Sequence, residues 1–506
     1  MRTNLFKKGA GLLAILLIAT TVFSQSPRPR PTATTKSEMY VRKNAASPEA
    51  KEDLEAMARA FKIMRAMTCE DSRSWYYQGA IHNIPKEIIG ANKLCPEYET
   101  ENDKLFAWGD CTHTKTEASS LHFLLWHRMY TWHLEQIVRE LSGKSDFALP
   151  YWNYGSDVLS DNQLPAQFVD KNSSLYVSAR YSLLNNGKPI DDTTRMDIKE
   201  ELERLAITAA FAGKEGFSQQ LEAAPHGLMH DYIGADGKET FFNPIFQKEM
   251  SGLMANVPSA GFDPVFWLHH SMVDRIWTLW DQSEYGERPT LKHLKVQPWE
   301  YHFIQPNGDE VTYTLDEVYA IVFNPDYVYQ DAQVPAIAAV VPDEQMTVNS
   351  RGMPVQDPSK ETVIWKQTVG EVITNQQTIA QAKDHIRQAR TFVKSKTNQE
   401  AEHQLLLKLD VSVYKEIGDY YKVYIHYPDG KTADQYIGMM TFFGVSHVHD
   451  LGELHSFEEE GAKLSFTYRV PDNLLEKGRS FEIKLIKRGQ GAGNVTLESI
   501  TLSAQE

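Results

Sequence analysis

His226 and His230 stand four residues apart in Pro225-His226-Gly227-Leu228-Met229-His230. On a helix that spacing returns two imidazoles to one face. Further on, Asp263-Pro264-Val265-Phe266-Trp267-Leu268-His269-His270-Ser271-Met272-Val273-Asp274 repeats the interval between His270 and Asp274, so the carboxylate is placed to orient or support the imidazole region. Two helices that each turn imidazoles inward can hold a metal ion between them, and neutral imidazole suits copper, zinc, iron and nickel. One His-x-x-x-His pair is as readily a pair of satisfied core histidines. The whole constellation is not. Upstream lie His82, His113, His122, His127 and His133. On an unbroken helix His122 and His127 point about 140° apart, at about 100° per residue, so they do not easily share a metal.

The run from Asp263 to Asp274 resembles the second copper-site signature of the type-3 copper proteins, the tyrosinases, catechol oxidases and hemocyanins. Asp-Pro-x-Phe, a His-His pair and an aspartate four residues after the second histidine are all present. By that resemblance His226, His230 and His270 hold one copper, and His269 is a neighbour. Ser74-Trp75-Tyr76-Tyr77-Gln78-Gly79-Ala80-Ile81-His82-Asn83-Ile84-Pro85 looks like the segment around the family's first ligand, which implies His82. Phe123-Leu124-Leu125-Trp126-His127-Arg128-Met129-Tyr130, closed by Glu135, looks like its Trp-His-Arg-x-Tyr helix, which implies His127. The family's middle ligand falls nine residues before the third, where this chain has Ala118. Its Cys-x-His element is present as Cys111-Thr112-His113, as though Thr114 to Ala118 were inserted. His113 is therefore favoured over His122 as the middle ligand, and His133 is assigned a structural role.

The resemblance implies further roles. Glu222, four before His226, matches a glutamate that orients a water and helps deprotonate a phenol. Gly227 stands where efficient monophenol hydroxylases often carry asparagine, which argues for catechol oxidation. Val257 matches a gate residue that is bulkier in plant enzymes, so a more open pocket is expected. Of the three cysteines, Cys111 would form a thioether to His113, leaving Cys69 and Cys95 for one disulfide, which an exporting compartment permits.

These side chains must be positioned by helices joined by long loops. The chain has 506 residues, room for two or more domains. Residues 1–24 read as a secretory signal, with Arg2, Lys7 and Lys8 before the short apolar stretch Ala10 to Phe23. Residues 25–39 read as a linker, 40–340 as a dicopper catalytic domain of tyrosinase type, 341–404 as a partly helical linker with its best helix over 376–392, and 405–506 as a small β-sandwich with alternating strands. The expected fold class is mainly α: a four-helix bundle with long loops, followed by the β-sandwich as a covering domain. Asn324-Pro325-Asp326-Tyr327-Val328-Tyr329 resembles the family's Tyr-x-Tyr element, for which Arg42 is the expected partner. His447, His449 and His455 form a further cluster, read as a solvated edge.

Formal charge is −15, and −18 once residues 1–24 with their three cations are removed. That leaves no electrostatic case for nucleic acid or an anionic membrane. No later segment is apolar and long enough to span a membrane. The resulting expectation is an exported, periplasmic or secreted, dicopper oxidase that converts o-diphenols to o-quinones and reduces O2 to water. A tyrosinase with monophenol hydroxylase activity, an o-aminophenol oxidase and a hemocyanin-like oxygen-binding protein are the alternatives on the same coppers. A mononuclear zinc hydrolase using His226 and His230 leaves the Trp-His-Arg segment unexplained.

Overall fold

The computed structural model describes residues 39–83, 88–90, 93–96, 107–113, 117–190, 198–213, 216–331, 361–373, 376–381, 404–413, 419–444, 462–470, 481–489 and 494–505. The expected signal and linker, most of 341–404, and the His447, His449 and His455 cluster lie outside them. Among the described residues no helix is long and apolar enough to cross a membrane.

Helix α1 (Lys51–Ala66) buries Leu54, Met57, Phe61 and Met64, spaced three and four apart along one stripe. Helix α2 (Trp75–His82) starts at Ser74, whose side chain accepts the Tyr77 N–H. Helix α3 (Glu117–Ser142) has 26 residues, about 39 Å at 1.5 Å per residue. Helix α4 (Lys199–Ala206) buries Glu201 and Leu205. Helix α5 (Phe217–Leu221) ends in a wide turn over Glu222–Gly227, because Ala224 is non-helical and Pro225 has no N–H to donate. Helix α6 (Leu228–Ile233) resumes beyond it. Helix α7 (Val265–Asp281) opens with the Asp263 carboxylate accepting the Val265 N–H at 3.0 Å. Arg180, fully buried, pairs with that same carboxylate. Cys69 and Cys95 are joined in a disulfide, as expected.

A second structural centre ties the chain ends of this helical part together. Strand β1 (Tyr40–Arg42) runs parallel to β2 (Tyr327–Tyr329). The Arg42 guanidinium lies 3.5 Å from the Tyr327 ring centroid and donates to Glu135 at 2.8 Å and to Asp274 at 3.1 Å. Asp274 also receives Arg128 and both tyrosine hydroxyls. The expectation that Asp274 supports the His270 imidazole is therefore corrected. Two guanidiniums attract a buried carboxylate far more strongly than a neutral ring does. Burial pushes this carboxyl up, but Arg128 and Arg42 outweigh it and hold it below the usual carboxylate range.

The C-terminal part is two antiparallel four-stranded sheets. Its strands are β3 (Glu361–Val372), β4 (Gln376–Gln381), β5 (Gln404–Val413), β6 (Tyr420–His426), β7 (Gln435–Met440), β8 (Ala462–Arg469), β9 (Glu482–Arg488) and β10 (Val495–Gln505). One sheet has the order β7-β6-β9-β4 and the other β8-β5-β10-β3. Alternate residues such as Leu405, Leu407, Leu409 and Val411 form a separate apolar core. Of the helix expected over 376–392, Gln376–Gln381 is a strand and the remainder lies outside the described residues, and strands are present from Glu361, ahead of the expected 405. The polar stretch has no strong preference of its own, and pairing with β9 and β10 decides it.

This sandwich is anchored on α4. Glu200 accepts from Lys422 at 2.7 Å and from the Tyr424 hydroxyl at 2.8 Å, and Glu201 accepts from the Tyr436 hydroxyl at 2.6 Å.

Candidate metal centre

Four elements deliver imidazoles to one buried place. His82 ends α2, His127 lies within α3, His230 lies on α6, and His269 with His270 lies on α7. The loop at 107–113 brings His113, and the wide turn brings His226, four residues from His230 but not on a continuous α-helix. One cluster consists of His82, Cys111, His113 and His127, and the other of His226, His230, His269 and His270. In each, the ligand-capable atoms lie within 4.8 Å of one another. The His127 and His270 rings stack at 4.3 Å and 5°, so the two clusters adjoin.

The ring nitrogens are arranged for metal. The Nδ1 of His82 donates to the Val257 carbonyl at 3.0 Å, that of His127 to Phe123 at 2.8 Å, that of His226 to Glu222 at 2.9 Å and that of His230 to Met254 at 2.9 Å. Each such bond fixes the tautomer and leaves Nε2 with its lone pair. The Nε2 atoms of His226 and His230, and both ring nitrogens of His270, are buried with no hydrogen-bond partner. Such orphans are rare in a protein interior and call for an occupant. His82 and His113 turn their Nε2 atoms toward each other at 3.2 Å. Burial, then neighbouring imidazoles, lowers the pKa of His82, His127, His226, His230 and His270 well below the ordinary value. Neutral rings are what a metal ion needs. The donor set fits copper, and each cluster holds three imidazoles or more.

His113 and His122 lie in different surroundings. His113 Nδ1 meets a Glu222 carboxylate oxygen at 3.3 Å, the carboxylate–histidine pairing that orients metal ligands. His122 Nδ1 meets the Tyr301 hydroxyl at 2.7 Å and its Nε2 the Gln297 carbonyl at 2.6 Å, outside both clusters. His133 Nδ1 donates to the Ile304 carbonyl at 2.9 Å, also outside. Cys111 is a free cysteine, and its Sγ lies 3.4 Å from His127 Nε2. Burial and the charges of Glu222 and Asp110 push its thiol pKa up.

Gly227 follows His226 of the second cluster and the Val257 carbonyl holds His82 of the first, and here sequence reasoning missed a residue. Phe443, in the turn after β7, stacks on the His230 ring at 4.3 Å and 19° and lies edge-on to His226 at 5.9 Å. The paired aromatics Phe442-Phe443 before Gly444 mark a strand end that presents one ring outward. Nothing in that pattern names what the ring covers.

The family model for the common central domain of tyrosinase matches residues 72–212 and 185–283. Tyrosinase HcTyr1 of Hahella sp. (strain CCB-MM4) is 28% identical over 302 residues, 53% of this chain and 59% of that protein. Residues 72–283 thus carry the tyrosinase central domain, in line with the resemblance to the type-3 copper family. The two histidine clusters are the two copper sites of that family. Aureusidin synthase of Antirrhinum majus is 26% identical over 309 residues, 55% of this chain and 49% of that protein. The chain thus spans about half the length of the curated relatives it matches. Among solved structures, latent apple tyrosinase aligns with a TM-score of 0.55 at 18% identity, over 93% of this chain and 98% of that one. At that identity the likeness shows the fold of the type-3 copper proteins, sandwich included.

Proposed function

We propose that this type-3 copper protein is an oxidase that converts o-diphenols to o-quinones with reduction of O2 to water. The observation that carries the proposal is the adjoining pair of buried imidazole clusters, with Nδ1 atoms anchored on carbonyls and Nε2 atoms left over. In this reading His82, His113 and His127 hold one copper, and His226, His230 and His270 the other. Two coppers there supply the redox chemistry that couples O2 reduction to oxidation of the diol. The protein supplies the rest. The carbonyls of Val257, Phe123, Glu222 and Met254 hold the rings in place. Glu222 holds His113 at 3.3 Å and takes a proton from an incoming phenol. Gly227 has no side chain to help position a water, which supports catechols over monophenols as substrates. Val257 leaves a wider gate than a phenylalanine would.

Phe443 lies where a phenol ring would stack on His230, so the chain as it stands is closed and substrate enters only when the turn lifts. Export to an oxidising compartment is part of the same reading, supported by the N-terminal apolar segment and the Cys69–Cys95 disulfide.

The test is oxygen uptake by the copper-loaded full chain and its Phe443→Gly variant, given a catechol and then the matching monophenol. Uptake with catechol alone is expected, faster in the variant. Uptake with both makes it a tyrosinase. No uptake by either form with two coppers bound overturns the oxidase reading in favour of an oxygen carrier.

A further inference from the structure

We propose that Gly227 is a docking notch: its missing side chain admits the Phe443 turn, so the residue at 227 sets how firmly the C-terminal domain closes the copper site. This rests on the closed-oxidase reading and deepens it.

The backbone gives no reason for glycine here. Gly227 has φ −60° and ψ −39°, ordinary helical values that any residue adopts. Glycine in a helix is disfavoured relative to alanine, so the reason must lie in the space around it. A Cβ added at 227 would stand 3.1 Å from the Phe443 Cβ, 3.3 Å from the Glu222 carbonyl oxygen and 3.7 Å from Phe443 Cδ1. Carbon atoms in good contact sit about 3.5–4.0 Å apart. Alanine therefore demands a small shift of the turn. Asparagine adds a branched amide beyond that Cβ, and the Phe443 side chain is in the way.

The opposite side of the turn fits just as closely. Gly444 has φ 76°, the left-handed region that favours glycine, and a Cβ there would meet Val257 Cγ2 at 3.3 Å. Thr441 Oγ1 donates to the Ala223 carbonyl at 2.9 Å, which pins the turn just ahead of Phe443. Positions 227 and 257 are thus the two sides of the seat. The ion pair and hydroxyl contacts of Glu200 and Glu201 lie on another part of the sandwich. The turn can lift while the domain stays attached.

The experiment measures how fast EDTA removes copper from the copper-loaded full chain, for wild type, Gly227→Ala, Gly227→Asn, Phe443→Gly and the double variant G227N/F443G. Metal count and thermal unfolding are measured first. Gly227→Asn and Phe443→Gly are each expected to speed removal by about tenfold, Gly227→Ala by about twofold. The double variant is expected to match Phe443→Gly, because the two changes act on one contact. Removal from Gly227→Asn as slow as from wild type, or rates that multiply in the double variant, overturns the notch. If Gly227→Asn does not fold, Gly227→Ala with and without Phe443→Gly makes the same comparison. A chain that holds its coppers but consumes no O2 with any variant sinks the oxidase reading while leaving the EDTA comparison to judge the notch.

Discussion

His113 and His122 differ in what their ring nitrogens meet, and that difference is testable. His113→Ala is expected to leave one tightly bound copper per chain, by metal analysis after dialysis. His122→Phe is expected to keep two. It leaves the buried Tyr301 hydroxyl without its partner, which lowers unfolding stability by about 1–3 kcal/mol in denaturant titrations. The non-ligand histidines also predict a pH response. Burial lowers the pKa of His122 to about 4 and of His133 to about 3. Unfolded, both titrate near 6.5, so below that pH the unfolded chain binds more protons than the folded one. Stability should fall as pH drops from about 6.5 toward 4, by up to about 1.4 kcal/mol per pH unit for each ring. A flat profile in that window would contradict their burial as neutral groups. His269 shares this lowering, to about 3, but sits in the second cluster.

At the scale of elements, the site depends on α3 and α7 facing each other, and the pairing is fixed one or two turns beyond the imidazoles. His127 and Glu135 share α3, while His270 and Asp274 share α7. Arg42, from β1, bonds both carboxylates at no solvent exposure. Removing one partner from a buried ionic cluster is costly because the remaining charges keep their desolvation penalty. Arg42→Met is expected to lower stability by about 3 kcal/mol, toward the low end of such losses, since Arg139 and Arg128 still attend Glu135 and Asp274. Copper content should fall with it only where the fold is lost; selective loss of one copper in folded protein would mean that Asp274 acts on His270 after all. The helical spacing in sequence was legible here, and so was the pairing of Arg42 with the Tyr-x-Tyr element. The role of Asp274 was not, because a four-residue interval says which side chains share a face, and charge elsewhere in the fold decides which partner the carboxylate takes.

For the whole molecule, the disulfide and the sandwich set the remaining expectations. Cys69 and Cys95 close a loop with a sequence separation of 26, and the chain-entropy account gives about 3–4 kcal/mol for a loop of that size. Reduction should lower the unfolding temperature of the full chain without removing copper, because neither cysteine belongs to a histidine cluster. The sequence by itself determined which residues can bind metal, because ligand chemistry is a property of residue type and the intervals between histidines are local. It determined the sandwich from Leu405 onward through period-two alternation. It did not determine the strands at 361–381, whose conformation is set by partners more than a hundred residues away. It did not decide between His113 and His122, since only the folded chain shows which ring meets Glu222 and which meets Tyr301. Nor did it reveal Phe443 over His230, because a contact between two domains depends on how surfaces meet in space, and no spacing along the chain records that.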